Sequence, residues 1–206
     1  MAKNNLISNW GRNNVNLSLR VKLVFFIVSL IIITGLVSSC GGAKAPQTAT
    51  PNEPSKVKFS EFTNFEMKSV GIAEEFASSG ANQKALKKID EVLFANMKNL
   101  FPNLKRIESG NDFSKSNERT LQITPFVKEI KFIGGGARFF VGAMAGSSYV
   151  RMKVTFADSS NNEIIADTEF YRVANAITGG RSMGGSDNAM LEIIAKDITD
   201  YSMYNR

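Results

Sequence analysis

Residues 57–206 predict a single α+β domain: a mainly antiparallel sheet of about four to five strands with two main helices packed on one face. Three observations predict it. Apolar residues recur at three- and four-residue steps from Asn82 to Leu100, and again from about Asp187 to Tyr201, the period of helices with one buried stripe. Between them Tyr149–Ala157 alternates, with Val150, Met152, Val154 and Phe156 on one side and Arg151, Lys153 and Thr155 on the other. The polar run Asp158-Ser159-Ser160-Asn161-Asn162 then turns the chain into a second strand, Glu163–Val173, closing an antiparallel hairpin. A strand, a helix, a run of strands and a final helix suit helices laid over one face of a sheet.

The elements follow in order. Lys56–Phe62 reads as a first strand, with Val57 and Phe59 on one face. Asn64–Gly80 has no clear period, and Glu66–Phe76 reads as an irregular loop or a short helix. The first long helix carries Leu86, Ile89, Leu93, Met97 and Leu100 as its stripe, with Asn82 as N-cap and Pro102 just past its end. Leu104–Ile107 is a short strand and Thr120–Phe132 a longer one. Pro125 has no N–H to give a ladder, which marks that strand as an edge or a bulge; an edge there would be open to a partner strand. The last helix shows Met190, Ile193, Ile194, Asp197, Ile198 and Tyr201 at mostly helical spacing, with Ser186 as its cap.

The N-terminus reads as an export leader. Lys3, Arg12, Arg20 and Lys22 form a basic region without acids, Leu23–Val37 is a 15-residue apolar run, and small residues follow it. The run is short for a spanning helix, which needs about 20 apolar residues. Leu17 and Leu19 lengthen the apolar character, so an uncleaved membrane anchor is the alternative. Val37-Ser38-Ser39-Cys40 has the form of a lipobox: Val37, Ser38 and Ser39 for signal-peptidase recognition, and Cys40, the only cysteine, for lipidation. Only a thiol here can form a thioether to a diacylglycerol. Two or more acyl chains hold a protein stably on a bilayer where one is marginal. Residues 1–39 are thus expected to be removed, and residues 40–56, with Pro46, Pro51 and Pro54, to form the lipidated N-terminus and a tether. Gly41 follows Cys40 where an inner-membrane retention signal of the enteric type would place Asp. The expected location is the outer membrane of the cell envelope, facing the periplasm.

Composition narrows the function. Of 25 basic residues four precede Cys40, leaving 21 against 19 acids, a net charge of +2. That is no nucleic-acid signature. Past Cys40 there is no cysteine, and the chain has no histidine. The commonest general base, the Ser-His-Asp arrangement and most zinc chemistry are therefore missing. No catalytic residue, metal ligand or cofactor is expected. Glu74-Glu75, Asp90-Glu91 and the set Asp187, Glu192, Asp197 read as solvated faces.

Two glycine-rich segments flank the hairpin. The first runs Gly134-Gly135-Gly136-Ala137-Arg138-Phe139-Phe140-Val141-Gly142-Ala143-Met144-Ala145-Gly146, and the second Gly179-Gly180-Arg181-Ser182-Met183-Gly184-Gly185. Connection at the same end of the sheet would make them adjacent loops for packing or interaction. The first has neither pattern of a phosphate-cradling loop, and a strand follows it. The first reads as a buried connection with Phe139, Phe140 and Val141 packed inward. Small-xxx-small spacing at Gly142 and Gly146 leaves helix packing or self-association open. Arg138 and Arg181, isolated in loops, read as solvated.

The stretch from Arg119-Thr120-Leu121 through the first glycine segment to the strand at Val150 resembles the bacterial lipoproteins grouped as domain-of-unknown-function family 4410. So do the hairpin with Asp158 in its turn and Gly184-Gly185-Ser186-Asp187 leading into the last helix. The resemblance covers roughly Val57 to Tyr201. It implies a compact envelope lipoprotein with no established reaction. The expected partners are the membrane, through the lipid on Cys40, and other envelope proteins or further copies of the chain. The expected role is a non-enzymatic accessory or assembly module; the alternative is a lipoprotein binding a lipid or small ligand.

Overall fold

The computed structural model describes residues 52–114 and 118–206. The chain runs β1 (Asn64–Lys68), β2 (Gly71–Ile72), α1 (Glu74–Ala77), α2 (Gly80–Leu100), β3 (Leu104–Ile107), β4 (Thr120–Lys131), α3 (Gly135–Val141), β5 (Ser148–Asp158), β6 (Glu163–Ala174), α4 (Ala176–Arg181) and α5 (Gly185–Tyr204). Short 3-10 turns cover Phe59–Glu61 and Gly142–Ala145. One six-stranded sheet has the order β3-β1-β4-β5-β6, with β2 beside β4.

The α+β class holds, but the sheet is mixed rather than mainly antiparallel. β1 pairs in parallel with both β3 and β4, and β2 in parallel with β4; β4, β5 and β6 are antiparallel. The difference comes from β1, which replaces the expected loop or helix after Asn64. Its sequence, Asn64-Phe65-Glu66-Met67-Lys68, does alternate, but over only five residues, too short a run to stand out from the surrounding irregular stretch. Phe65 and Met67 enter the core, with Phe65 stacked on Phe101 at 4.2 Å between ring centroids. Glu66 points the other way and is also buried, accepting the Ser114 N–H at 3.0 Å.

The expected strand at Lys56–Phe62 is instead a 3-10 turn. Phe59 and Phe62 are both buried, three residues apart, which is one 3-10 repeat. The helix expected from Asn82 begins at Gly80, and Ser79 caps it through its hydroxyl, accepting the Asn82 N–H. Asn82 has a different task. Its side chain accepts the Phe132 N–H at 3.0 Å and donates to the Phe76 and Ile130 carbonyls, fastening α2 to the end of β4.

β4 is a central strand, so the expected open edge at Thr120–Phe132 does not exist. Pro125 lies between Ile123, the last residue paired with β1, and Phe126, the first paired with β2. A missing N–H costs little at such a break. On the core side β4 offers Leu121, Ile123, Val127 and Ile130, and β5 offers Val150, Met152, Val154 and Phe156, all buried. The stripes of α2 and α5 pack there: Ile89, Leu93 and Met97 from one, Met190, Ile194 and Ile198 from the other. The opposite sheet face is a ladder of ion pairs, among them Lys128–Glu169, Arg151–Glu129 and Lys153–Asp167. α5 starts after Gly184, not on a Ser186 cap.

The chain is docked from Glu53 onward, within the segment read as tether. The Glu53 carbonyl accepts the Tyr201 hydroxyl at 2.9 Å, the Ser55 N–H reaches Asn205 Oδ1 at 2.8 Å, and the Lys56 N–H reaches the Ile165 carbonyl at 3.0 Å. This end of the domain holds the C-terminus of α5 and the start of β6. The residues expected for export and lipidation, Val37, Ser38, Ser39 and Cys40, lie outside the described residues.

Two carboxylates tie stability to acid pH. Burial pushes the Asp158 carboxyl up, but hydrogen bonds from the Ser160 N–H and the Arg119 guanidinium outweigh it and hold the group below its ordinary value. Burial likewise opposes, and Lys153 and Thr155 outweigh, at Asp167, which is also lowered. A depressed carboxylate stabilises the fold above its unfolded pKa of about 3.9, and that stabilisation is lost as pH falls through the folded value. Urea melts are expected to show these contributions intact above about pH 5 and declining below about pH 4. Asp158→Asn with Asp167→Asn should lower the plateau and flatten the acid limb. An unchanged acid limb would remove the two groups as its cause.

Candidate functional site

The end of the sheet away from Glu53 carries a cap made by the two glycine segments. α3 and the turn Gly142–Ala145 extend from β4, and α4 extends from β6. They pack on one another and on the start of α5. The two segments are therefore adjacent, as their positions in the sequence suggested. The interior of the cap is polar. Arg138 and Asp187 are both fully buried and face each other in a two-pronged pair: Nη2 to Oδ1 at 2.7 Å and Nε to Oδ2 at 3.0 Å. Arg138 Nη1 donates to the Gly146 carbonyl at 2.7 Å and the Gly142 carbonyl at 3.4 Å. Ser148 Oγ donates to Asp187 Oδ1 at 2.5 Å and accepts the Ile133 N–H at 3.0 Å.

This corrects two expectations. Arg138 is not a solvated loop arginine, and Asp187 is not part of a solvated acidic face. A charge stripped of water must be paired and hydrogen-bonded, and here it is. Two more of the acids differ: Asp197 pairs with Arg172 through two hydrogen bonds, and Asp90 holds Arg106 and the Val70 N–H; Glu74, Glu75, Glu91 and Glu192 are exposed, as expected. Arg181 is exposed, as expected.

The glycines make room for the pair. Gly134 precedes α3, and Gly135 and Gly136 open it. Gly142 and Gly146 end the helical stretch at positive φ, so they form no small-residue stripe on a helix. A Cβ on Gly179 would lie 2.7 Å from Arg138 Cζ, and one on Gly180 2.7 Å from the Ala143 nitrogen. Gly184 sits at φ +91°, where a side chain is strained, and Gly185 starts α5.

The outside of the cap is apolar, the reverse of the inward packing expected for Phe139, Phe140 and Val141. With Arg138 turned inward, the next residues are carried to the outer face, each about 100° further round the helix. Phe140 is 83% exposed and Met144 93%. Phe139, Val141, Ile177 and Met183 are exposed beside them. Sequence reasoning missed this surface, together with Ser148. The signal was present in two adjacent phenylalanines after an arginine on a helix too short to bury both.

Other features are modest. Surface depressions of 510 Å³, between α2 and α5, and 240 Å³, beside the end of β6, are open to solvent. Among the described residues no group of three His, Cys, Asp or Glu is placed to hold a metal ion, and no helix is long and apolar enough to cross a membrane.

No family model and no curated protein matches the chain, so membership of family 4410 is not shown. Among solved structures the chain is similar to protein XCC0632 from Xanthomonas campestris, described under domain-of-unknown-function family 330, at 7% identity, covering 76% of this chain and 90% of that one with a TM-score of 0.45. It is similar to the PelC dodecamer from Paraburkholderia phytofirmans at 12% identity, covering 70% and 92% with a TM-score of 0.41. It is also similar to a minor lipoprotein from Acinetobacter baumannii at 14% identity, covering 68% and 91% with a TM-score of 0.30.

Removing one partner of the buried pair strands the other. Arg138→Ala or Asp187→Ala is expected to cost about 3–5 kcal/mol in chemical denaturation, and Arg138→Met with Asp187→Leu much less. A single-variant cost below about 1 kcal/mol would show the pair behaving as an exposed one. Gly179→Ala should cost about 1–3 kcal/mol by forcing the guanidinium aside. Gly134→Ala, with open space around it, should stay within about 0.5 kcal/mol.

Proposed function

We propose that this chain is a lipid-anchored envelope protein, exported by residues 1–39, acylated on Cys40, and working as a non-enzymatic accessory or assembly module whose contact surface is the cap. One observation carries the reading. Large apolar side chains stand exposed on a scaffold that a buried ion pair holds in one arrangement. Exposed apolar clusters of this kind mark interaction sites. A rigid support lowers the ordering cost of contact. The lipobox at Cys40, the absence of histidine and the mild charge of the mature chain add to it. The outer-membrane location facing the periplasm belongs to the same proposal.

The test is photo-crosslinking in intact cells, with a photoreactive residue replacing Phe140 or, as control, Thr124 on the charged sheet face. Adducts from position 140, to envelope protein or to lipid, with few from 124, are the expected result, and Cys40→Ala should reduce them. Equal labelling from both positions, or none from either, would overturn the reading.

A further inference from the structure

We infer that the cap docks on an anionic bilayer surface, inserting Phe139, Phe140 and Met144 among the headgroups of the membrane that carries the anchor. The inference rests on the proposed anchored module and names what its contact surface meets.

Charge is the first argument. Residues 131–147 and 174–186, which build the cap, contain no Asp or Glu. The acid beneath them, Asp187, is buried and neutralised by Arg138. Lys131 and Arg181 are exposed in these segments and enter none of the ion pairs found among the described residues. Elsewhere the surface cations are mostly paired, as on the open sheet face. An apolar tip with cations and no anions complements a negatively charged lipid surface. It does not complement a second cap. A symmetric contact between two copies would set Lys131 and Arg181 of one against the same cations of the other, with no acid to offset them.

Shape is the second argument. The Phe139 and Phe140 rings meet edge to face at 5.2 Å and are largely exposed, and Met144, in the 3-10 turn that follows their helix, is more exposed still. Aromatic side chains settle at the level of the headgroups, where apolar body and polar surroundings coexist.

Chain length is the third. The N-terminal segment is docked at Tyr201 and Asn205, the far end of α5 from the cap. The 20 residues of α5 span about 30 Å. Cys40–Asn52 is 13 residues, which reach about 43 Å at full extension. Anchor and cap can therefore meet one membrane.

The experiment uses the full protein extracted from bacterial membranes, carrying Met144→Cys or Thr124→Cys labelled with an environment-sensitive fluorophore. It is reconstituted into vesicles of phosphatidylcholine with phosphatidylglycerol, or of phosphatidylcholine alone, each with and without a lipid-borne quencher. The expected result is a blue shift and lipid quenching at 144 but not at 124. Both should be stronger with phosphatidylglycerol, weakened by salt and by Lys131→Ser with Arg181→Ser, and lost with Phe139→Ser and Phe140→Ser. No lipid quenching at 144 would overturn the inference. So would a blue shift that grows with protein density without lipid quenching, which would assign the cap to a second copy. The mass of Cys40 in the same preparation tests the anchored reading separately: an unmodified thiol overturns that reading whatever the label reports. Protein adducts from position 140 in cells, with no quenching in vesicles, would leave the module reading standing and sink this inference alone.

Discussion

The cap exists in one arrangement because a guanidinium and a carboxylate, both without water, have only each other and a few fixed groups to satisfy them. Arg138 comes from α3, Asp187 from the first turn of α5, and Ser148 from the first residue of β5. Three elements distant in sequence must close on one point, since a stranded charge there would cost several kcal/mol. Two further Arg138 hydrogen bonds, both from Nη1, go to the carbonyls of Gly142 and Gly146, which draws the loop back over the pair. The glycine content follows from that closure. Gly179 lies against the guanidinium and Gly180 against the backbone of Ala143, distances that leave no place for a Cβ.

Burying the polar side of the cap turns its apolar side outward. A short helix with a large charged residue facing in cannot also face its neighbouring phenylalanines in. The usual relation of charge outside and hydrocarbon inside is therefore reversed over these few residues, at the end of the sheet furthest from the docked N-terminal segment. The rest of the domain keeps the usual relation. Its core face is a continuous apolar layer between sheet and helices, and its other sheet face neutralises its own charges across strands. One end of the described domain thus carries the docked segment from Glu53 and the C-terminus of α5, and the other exposed hydrocarbon, with the length of α5 between them. That polarity underlies both functional proposals.

How much of this was legible depends on whether a residue's environment is set by its near neighbours. The α2 stripe, the β5–β6 hairpin with its polar turn, and the α5 stripe all follow from local periodicity. In each, one face meets the core and the other meets water. β1 is hard to read because its alternation lasts only five residues, and its strand partners β3 and β4 lie far along the chain. The turn at Phe59–Glu61 is hidden because Val57 and Phe59 alternate with Lys58 and Ser60 over too short a span to separate a strand from a turn whose buried residues are Phe59 and Phe62. Pro125 marks neither an edge nor a bulge: it sits at the gap between two partner strands of a central β4, and the register shift comes later, between Val127 and Glu129.

By itself the sequence determined the α+β class, the two amphipathic helices and the central hairpin. Each of these is written in spacing and turn chemistry within a few residues. Tertiary structure alone decided the parallel pairing of β1, the burial of Arg138 against Asp187 and the exposure of Phe139 and Phe140. These depend on which groups 49 residues apart share a dry site, and a charged residue's burial is set by a partner that local pattern does not contain.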